Sequence, residues 1–236
     1  MLRFPDHAAA KPAIPKHVMV KWLLETFQRP YFFVHIPKCG GTSVVDALQD
    51  FYLHGKASVW RKQIGTKRWD KQQTFALVRR PYERICSLYR YASEIGANEA
   101  DFADLPLNEW IERSLDGRDP QHLADTPMTL HPCLPWVVDA NGAPLVKLII
   151  RLEEVNQDWP LIQRFIGRDI ELAVKNKTKH MPGTGVADLS DRSIELIESY
   201  YAVDFDNFGY ERLGAERKLK PREEAPLVGI TSGVRC

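Results

Sequence analysis

The fold is decided by one stretch of the chain, YFFVHIPKCGGTSVVDAL, which spans residues 31–48. It begins with an apolar run, Tyr31 to Ile36, that is rich in β-forming residues and does not alternate between polar and apolar positions. Such a run is typical of a strand that is covered on both faces of a parallel sheet. The run leads into Gly40 and Gly41 and then into a helical pattern, so the sequence predicts a strand, a glycine turn and a helix.

The turn between this strand and this helix carries groups that suit an anion. Glycines allow backbone N–H groups to converge on one point, and the positive end of a helix follows immediately. Lys38 adds an ammonium group, and Thr42 and Ser43 add hydroxyls. These groups predict a cradle for a phosphate or sulfate group; the alternative is a plain turn with an incidental lysine. Because Lys38 precedes the glycines and the spacer is short, the turn departs from the GxxxxGK[ST] loop of nucleoside triphosphatases.

A second junction of the same kind is TFALVRRPYERICSLYRY, residues 74–91. Its strand ends at Arg79, and a helix begins after Pro81, which suits the first turn of a helix. Ser87 lies about two turns beyond Pro81, a rise of only about 9 Å, so Arg79 and Ser87 are placed to hold a second anion between them. Three other arginines are expected at the surface, solvated or paired with nearby glutamates: Arg80, Arg84 and Arg90.

The order of predicted elements indicates the fold class. A strand over 74–78 and a third over 145–150 join the first one, and each strand is followed by a helical pattern. These helical patterns run over 42–51, 82–92 and 153–166. The alternation predicts a three-layer α/β fold that is P-loop-like, with a central, mostly parallel sheet flanked by helices. Two more helices are predicted, over 107–115 and from Ser190 to Tyr201.

A chain of 236 residues suits a single domain. We predict that this domain spans 1–213 and includes an N-terminal helical extension, 1–30, whose apolar face at 17–27 packs on the core. Between 94 and 141 the composition shifts to Asp, Pro and isolated aromatic residues, which indicates an insertion on the acceptor side of the site. The segment 214–236 is charged and lacks periodicity, so we predict a mobile tail.

The charge balance and the hydropathy exclude several classes of partner. The net charge is +1 at pH 7 and the isoelectric point is about 7.7, so no overall positive field favours nucleic acid or an anionic membrane. No apolar run approaches the roughly 20 residues that a membrane-spanning helix needs, and the N-terminal segment lacks a signal-peptide core. A soluble, cytoplasmic protein without a transmembrane anchor is expected.

The cysteines predict neither a disulfide framework nor a metal centre. None of the four forms a CxxC pair, so free thiols in a reducing compartment are expected. His131 and Cys133 are close enough in sequence to share a metal ion, but no second pair at ligand spacing is present, and no metal site is predicted. The cysteines are Cys39, Cys86, Cys133 and Cys236.

The two anion motifs, in this order, resemble those of the sulfotransferases that use 3′-phosphoadenosine 5′-phosphosulfate (PAPS), in the family 2-type branch that contains carbohydrate sulfotransferases. FVHIPKCGGTS is similar to their 5′-phosphosulfate loop and FALVRRPYERICSLYRY to their 3′-phosphate motif. Further similar segments bring the resemblance to residues 31–210: HGKASVWRKQIGTKRWDKQQ, LIIRLEEVNQDW, NKTKHMPG and LSDRSIELIESYYAVDFDNFGY.

The resemblance implies a reaction and a set of contacts. PAPS would be the sulfuryl donor, no metal would be required, and the partner would be a hydroxyl of a carbohydrate, a glycolipid or another small acceptor. Arg79 and Ser87 would bind the 3′-phosphate, and a loop over 176–180 would close on the nucleotide through Lys177, Thr178 and Lys179. Cys39 stands where the family more often has threonine. The 5′-phosphosulfate would be bound by Lys38, Cys39, Gly40, Gly41, Thr42 and Ser43.

Sulfuryl transfer also needs a cation and a base. Charge develops on the leaving phosphate oxygen, where Lys38 is the expected stabilising group. A hydroxyl is a poor nucleophile at neutral pH, so it needs a base, and histidine titrates in the useful range. His54 matches the family-like histidine and is the expected base, whereas His35 is expected to be a core residue. The competing bases are His131, Glu153 and Glu154.

Two other functions remain open on the sequence alone. A nucleotide kinase would share the sheet and a phosphate loop, but it should carry a lysine after the glycines and a strand-end aspartate for magnesium. A catalytically inactive nucleotide sensor would keep both anion sites and lack the base. Three tryptophans are candidates to stack on a sugar acceptor, although aromatic residues in a domain of this size are more often part of the core: Trp60, Trp110 and Trp136.

Overall fold

A computed structural model of the protein describes residues 25, 28–50, 52–94, 105–120, 126–172 and 181–213. These residues contain a sheet of three parallel strands in the order β1–β2–β3, which confirms the predicted parallel sheet. Phe75, in the central strand, pairs with Phe33 on one side and with Leu148 on the other, and all three side chains are buried. The strands are β1 Tyr31–Val34, β2 Gln73–Val78 and β3 Leu148–Arg151.

Helices flank the sheet and follow each of its strands. The first predicted helix begins one residue early, at Gly41, and the third is preceded by a 3-10 turn, Leu152–Glu154. Ser190 caps its helix as predicted, because its hydroxyl accepts a hydrogen bond from the Ser193 N–H. The α-helices are α1 Gly41–Leu48, α2 Ala57–Ile64, α3 Thr66–Trp69, α4 Pro81–Glu94, α5 Leu107–Leu115, α6 Leu134–Val137, α7 Val155–Ile166, α8 Asp191–Tyr200 and α9 Ala202–Phe208.

The parallel arrangement determines where the functional loops lie. The loop 35–40 leaves the carboxyl end of β1, Arg79 and Arg80 leave that of β2, and the turn 152–154 leaves that of β3. Carboxyl ends of parallel strands share one edge of a sheet, and ligands of open α/β sheets bind outside that edge. The two predicted anion sites therefore meet on the same side of the protein.

The described part of the predicted insertion, 105–120 and 126–141, packs into the core. Helix α5 packs against α4 and α8, and the rings of Trp110 and Trp136 are fully buried. Trp60 is buried too, so none of these three rings offers an open platform for a sugar. Whether this segment faces the acceptor stays a prediction.

Arg84 differs from its expected place. Only 2% of the residue is exposed, so the expectation of a surface arginine is wrong. Its guanidinium donates hydrogen bonds to three backbone carbonyls, those of Pro37 at 3.1 Å, His131 at 2.8 Å and Thr129 at 3.1 Å. These acceptors satisfy the buried donors, which is why the core tolerates the charge. Arg80, by contrast, pairs with a glutamate at the surface as expected.

Several predictions lie largely or wholly outside the described residues: the helical extension at 17–27, the nucleotide-closing loop at 176–180 with Lys177, Thr178 and Lys179, and the tail at 214–236. Within the described ranges, no helix has the length and apolar character that crossing a membrane demands. The same ranges hold no cluster of three or more metal-ligating side chains.

Candidate active site

The predicted anion cradle falls on the loop between β1 and α1. Lys38 and Gly40 both have positive φ angles, 65° and 75°, which turn the chain sharply before the helix. A Cβ atom on Gly41 would lie 2.0 Å from Cδ2 of His35, so no larger residue fits there. The first N–H groups of a helix have no carbonyl partner within it. The start of α1 therefore presents polar hydrogens at the carboxyl edge of the sheet.

Lys38 lies half-buried beside this backbone. Its Nζ is 4.1 Å from the centre of the Tyr91 ring, a cation–π contact, and its carbonyl oxygen accepts a hydrogen bond from Arg79 Nη1 at 3.3 Å. Burial and then the positive charge of Arg79 lower the pKa of the Lys38 ammonium to about 8. Positive charge is thus concentrated here before any ligand arrives, and an anion would relieve the repulsion.

The second predicted anion site is joined to the first by Arg79. Burial lowers the pKa of its guanidinium, and its contact with the Lys38 carbonyl holds it against the cradle. Ser87 lies on the buried face of α4 and is 3% exposed. Within the described part of the chain, no hydrogen bond joins the Ser87 hydroxyl to Arg79. Of these two residues, Arg79 makes a hydrogen bond with the cradle loop in the described structure.

His54 lies beside the cradle loop in a defined orientation. Its Nδ1 is 3.0 Å from the carbonyl oxygen of His35, the residue that follows β1. A carbonyl only accepts, so Nδ1 carries the hydrogen of this bond, and in the neutral ring the lone pair is on Nε2. The rings of His35 and His54 are 4.2 Å apart between centroids. His35 is itself buried, as expected of a core residue.

Tyr52 connects the cradle to His54, a role that the sequence analysis missed. Burial raises the pKa of its hydroxyl, which makes a hydrogen bond with the side chain of Thr42. Its ring meets His35 edge-on at 4.6 Å and His54 at 5.1 Å between centroids. We call His35, Tyr52 and His54 the histidine cluster. This cluster links the first turn of α1 to the expected base.

The competing bases have structural partners. His131 is 5% exposed, and its Nε2 donates to the Thr126 carbonyl at 2.8 Å. Glu153 accepts from the Arg80 N–H at 2.9 Å and from the Tyr210 hydroxyl at 3.2 Å. Glu154 pairs with an arginine at 3.3 Å, so all three competing groups take part in contacts that hold the fold.

The side chain of Cys39 is buried against that of Cys133. The residue is 1% exposed, and its Sγ lies 3.7 Å from the Sγ of Cys133. Its N–H also makes a long hydrogen bond, 3.4 Å, to the carbonyl of Ile36. Cys39 thus shapes the loop, and a threonine hydroxyl at this position has no equivalent in this chain.

Comparison with known proteins identifies a family whose model matches most of the chain. The model of the family described as "Sulfotransferase family", the family 2-type branch, matches residues 28–211 of the chain. The match begins just before β1 and ends just after α9, so it includes the cradle, Arg79 and the histidine cluster. No curated protein and no solved structure matches the chain.

Proposed function

Because this chain belongs to the sulfotransferase family, of which a model matches residues 28–211, we propose that it transfers a sulfuryl group from PAPS to a hydroxyl. The acceptor we propose is a carbohydrate, a glycolipid or another small hydroxylated molecule. One observation carries the proposal beyond the family: the histidine cluster connects a candidate base, His54, to the first turn of the anion cradle. Binding and proton removal are thereby combined in one site.

The donor would bind across the carboxyl edge of the sheet, as in P-loop-like proteins. Its 5′-phosphosulfate would occupy the cradle, held by Lys38 and by the backbone and hydroxyls of residues 39–43. Arg79, which touches the cradle loop, would bind the 3′-phosphate together with Ser87. Ser87 lies on the buried face of α4, the helix that begins two residues after Arg79.

The reaction would be an in-line displacement at sulfur. The acceptor oxygen forms a bond to sulfur while the bond from sulfur to the 5′-phosphate oxygen breaks. The acceptor proton passes to Nε2 of His54, and the electron pair of the broken bond stays on the phosphate. Lys38 and the cradle amides stabilise the charge that develops there, so the proposed chemistry needs no metal.

The thiols of Cys39, Cys86 and Cys133 are free, which is in keeping with a reducing compartment such as the cytoplasm. A cytoplasmic location would bring the protein together with glycolipid precursors and small metabolites as acceptors. We include this location in the proposal.

Calorimetric titration tests the donor site. We expect 3′-phosphoadenosine 5′-phosphate (PAP), the desulfated product, to bind at least about 10-fold tighter than ADP or ATP, a difference of about 1.4 kcal/mol. Arg79→Ala should erase this preference. Arg80→Ala is the matched control, because Arg80 is adjacent in the chain but pairs with Glu83 at the surface. If ADP or ATP binds wild-type protein as tightly as PAP, there is no 3′-phosphate site and the proposal is wrong.

A further inference from the structure

The proposed transfer leaves one pair of reactive groups unused: the thiols of Cys39 and Cys133. Their sulfur atoms are 3.7 Å apart, and the residues are 1% and 0% exposed. Cys39 lies in the cradle loop, between Lys38 and Gly40, whereas Cys133 immediately precedes α6. The two residues are 94 positions apart in the chain, so their contact joins the cradle loop to the segment that precedes α6.

Arg84 holds the two segments in register. It donates to the carbonyl of Pro37, two residues before Cys39, and to that of His131, two residues before Cys133. One buried side chain thus anchors both backbones at the same offset from each thiol. The proximity of the two sulfur atoms is therefore a fixed feature of this core.

The surroundings give the two thiols different characters. Burial raises the pKa of Cys39, but the hydrogen bond from the Cys133 thiol and the charge of Arg84 more than offset it, so the pKa lies below its ordinary value. Burial and the neighbouring Cys39 sulfur raise the pKa of Cys133. Of the two thiols, Cys39 therefore loses its proton more readily, and Cys133 is the one that retains it, which is the division of roles that disulfide formation requires.

We propose that Cys39 and Cys133 form a reversible disulfide that weakens nucleotide binding in the cradle. Hydrogen peroxide serves as the oxidant. The Cys39 thiolate attacks one peroxide oxygen, the O–O bond breaks, and a sulfenic acid and one water result. The Cys133 sulfur then attacks the sulfenic sulfur, and a second water leaves. Two thiols lose two electrons and two protons, and one peroxide becomes two waters.

The disulfide would displace the cradle loop rather than α6. Closing the sulfur separation from 3.7 Å to a bond of about 2.05 Å needs a movement of about 1.7 Å. The Asp204 carboxylate holds the other side, because it accepts from the N–H groups of Cys133 at 2.7 Å and Leu134 at 2.8 Å. Among the residues that the structure describes, the Cys39 N–H makes only the long hydrogen bond of 3.4 Å to the Ile36 carbonyl. The bond would therefore draw Cys39 toward Cys133 about the Pro37 carbonyl that Arg84 holds, and the amides beside Lys38 and Gly40 would move with it.

Peroxide treatment of the full chain tests the inference. Mass spectrometry of a non-reduced digest should show a peptide that contains Cys39 linked to one that contains Cys133. Calorimetry should show PAP binding weakened at least about 10-fold after oxidation, and dithiothreitol should restore it. Cys133→Ala should abolish the response. Cys86→Ala is the matched control and should respond like the wild type, because Cys86 is also buried but lies outside this pair.

Each other result has a defined meaning. The absence of the Cys39–Cys133 peptide after oxidation overturns the inference, and so does a disulfide that leaves the affinity for PAP unchanged. The weakening of binding rests on the proposed function, but formation of the disulfide does not. If reduced protein fails to bind PAP, the proposed function is wrong, and the linked peptide still decides whether the thiols react. Saturating PAP should slow the cross-link; equal rates would overturn its coupling to the cradle.

Discussion

His54 donates a hydrogen bond from Nδ1 to the carbonyl oxygen of His35 at 3.0 Å, so the candidate base is held by the residue that follows β1. The same strand delivers the chain to the cradle three residues later, at Lys38. The positions of the candidate base and of the predicted anion site are thus both set by β1. This arrangement suits a reaction in which acceptor and donor must meet in line.

Replacing His54 should separate binding from chemistry. In His54→Asn the amide can keep a donor near the His35 carbonyl, but no group remains to accept a proton. We expect the rate of PAP release from PAPS to fall by about 10²- to 10⁴-fold, with the affinity for PAP unchanged. Rapid-quench kinetics and calorimetry measure the two quantities. A variant that keeps the wild-type rate would show that His54 is not the base.

Lys38 should make nucleotide binding depend on pH. Its pKa is about 8 in the ligand-free protein, and a bound anion raises it, so binding draws a proton onto Lys38. PAP affinity should fall as the pH rises through about 8. Proton uptake should approach about one per ligand at pH 9 and about 0.1 at pH 7.

Calorimetry in buffers of different ionisation enthalpy measures this uptake. Lys38→Arg is the control, because the guanidinium keeps its charge at pH 9 and should abolish the uptake. The same uptake in Lys38→Arg would mean that another group takes the proton. PAP itself does not contribute, because its phosphates are fully ionised above pH 8.

The hydroxyl and the ring of Tyr52 should have separate effects, the hydroxyl on PAP binding and the ring on turnover. Tyr52→Phe removes the hydrogen bond with Thr42 and should weaken PAP binding about 2- to 10-fold, the usual net value of one such bond. Tyr52→Ala also removes the ring that packs on His54, so turnover should fall further than binding does. Equal effects of the two variants on turnover would argue against a link between cradle and base.

The sequence predicted the features that depend on neighbours in the chain. An apolar run followed by two consecutive glycines is a local pattern. The run predicts the strand β1, and the glycines predict the turn at Lys38. The sequence predicts β3 over 145–150, whereas the strand is Leu148–Arg151: the Leu145 carbonyl accepts from two side chains, the Trp69 indole and the Thr74 hydroxyl, and the ladder of paired residues begins only at Leu148.

The contacts that the sequence could not predict join distant positions. The Cys39–Cys133 contact spans 94 residues. The contacts of Tyr52 with Thr42 and His54 are closer in sequence, but Tyr52 lies in a segment whose residues show no periodicity. Burial of Arg84 had a signal: the position lies four residues before Leu88, on the apolar face of α4. The sequence analysis nevertheless predicts a surface position for Arg84, because arginine is rarely fully buried.

Arg84 should be a major contributor to stability. Arg84→Ala would leave three carbonyls, two of them buried, without the guanidinium that donates to them, and we expect the free energy of unfolding to fall by about 3 kcal/mol or more. Arg113→Ala is the control, because Arg113 pairs with Glu109 at the surface and should cost less than about 1 kcal/mol. Urea unfolding measures both. Equal losses would show that the buried hydrogen bonds of Arg84 contribute no more to the free energy of unfolding than the surface ion pair of Arg113.

Gly41 should tolerate no side chain. A Cβ atom there would lie 2.0 Å from Cδ2 of His35, well inside any real contact, and His35 is confined by the histidine cluster. The strain of Gly41→Ala must therefore displace either the start of α1 or the carbonyl that holds His54. We expect a loss of about 1 to 3 kcal/mol in unfolding free energy, typical of an overpacked core, and PAP binding at least about 10-fold weaker.

Gly185→Ala is the control, because its Cβ would meet only Asp188 Oδ2, at an ordinary 3.4 Å, and both the unfolding free energy and the affinity for PAP should stay near wild type. Circular dichroism during urea unfolding, followed by calorimetry, distinguishes a folded variant that cannot bind from an unfolded one. Wild-type stability and affinity in Gly41→Ala would show that His35 can move aside, and that the cradle does not depend on this close contact.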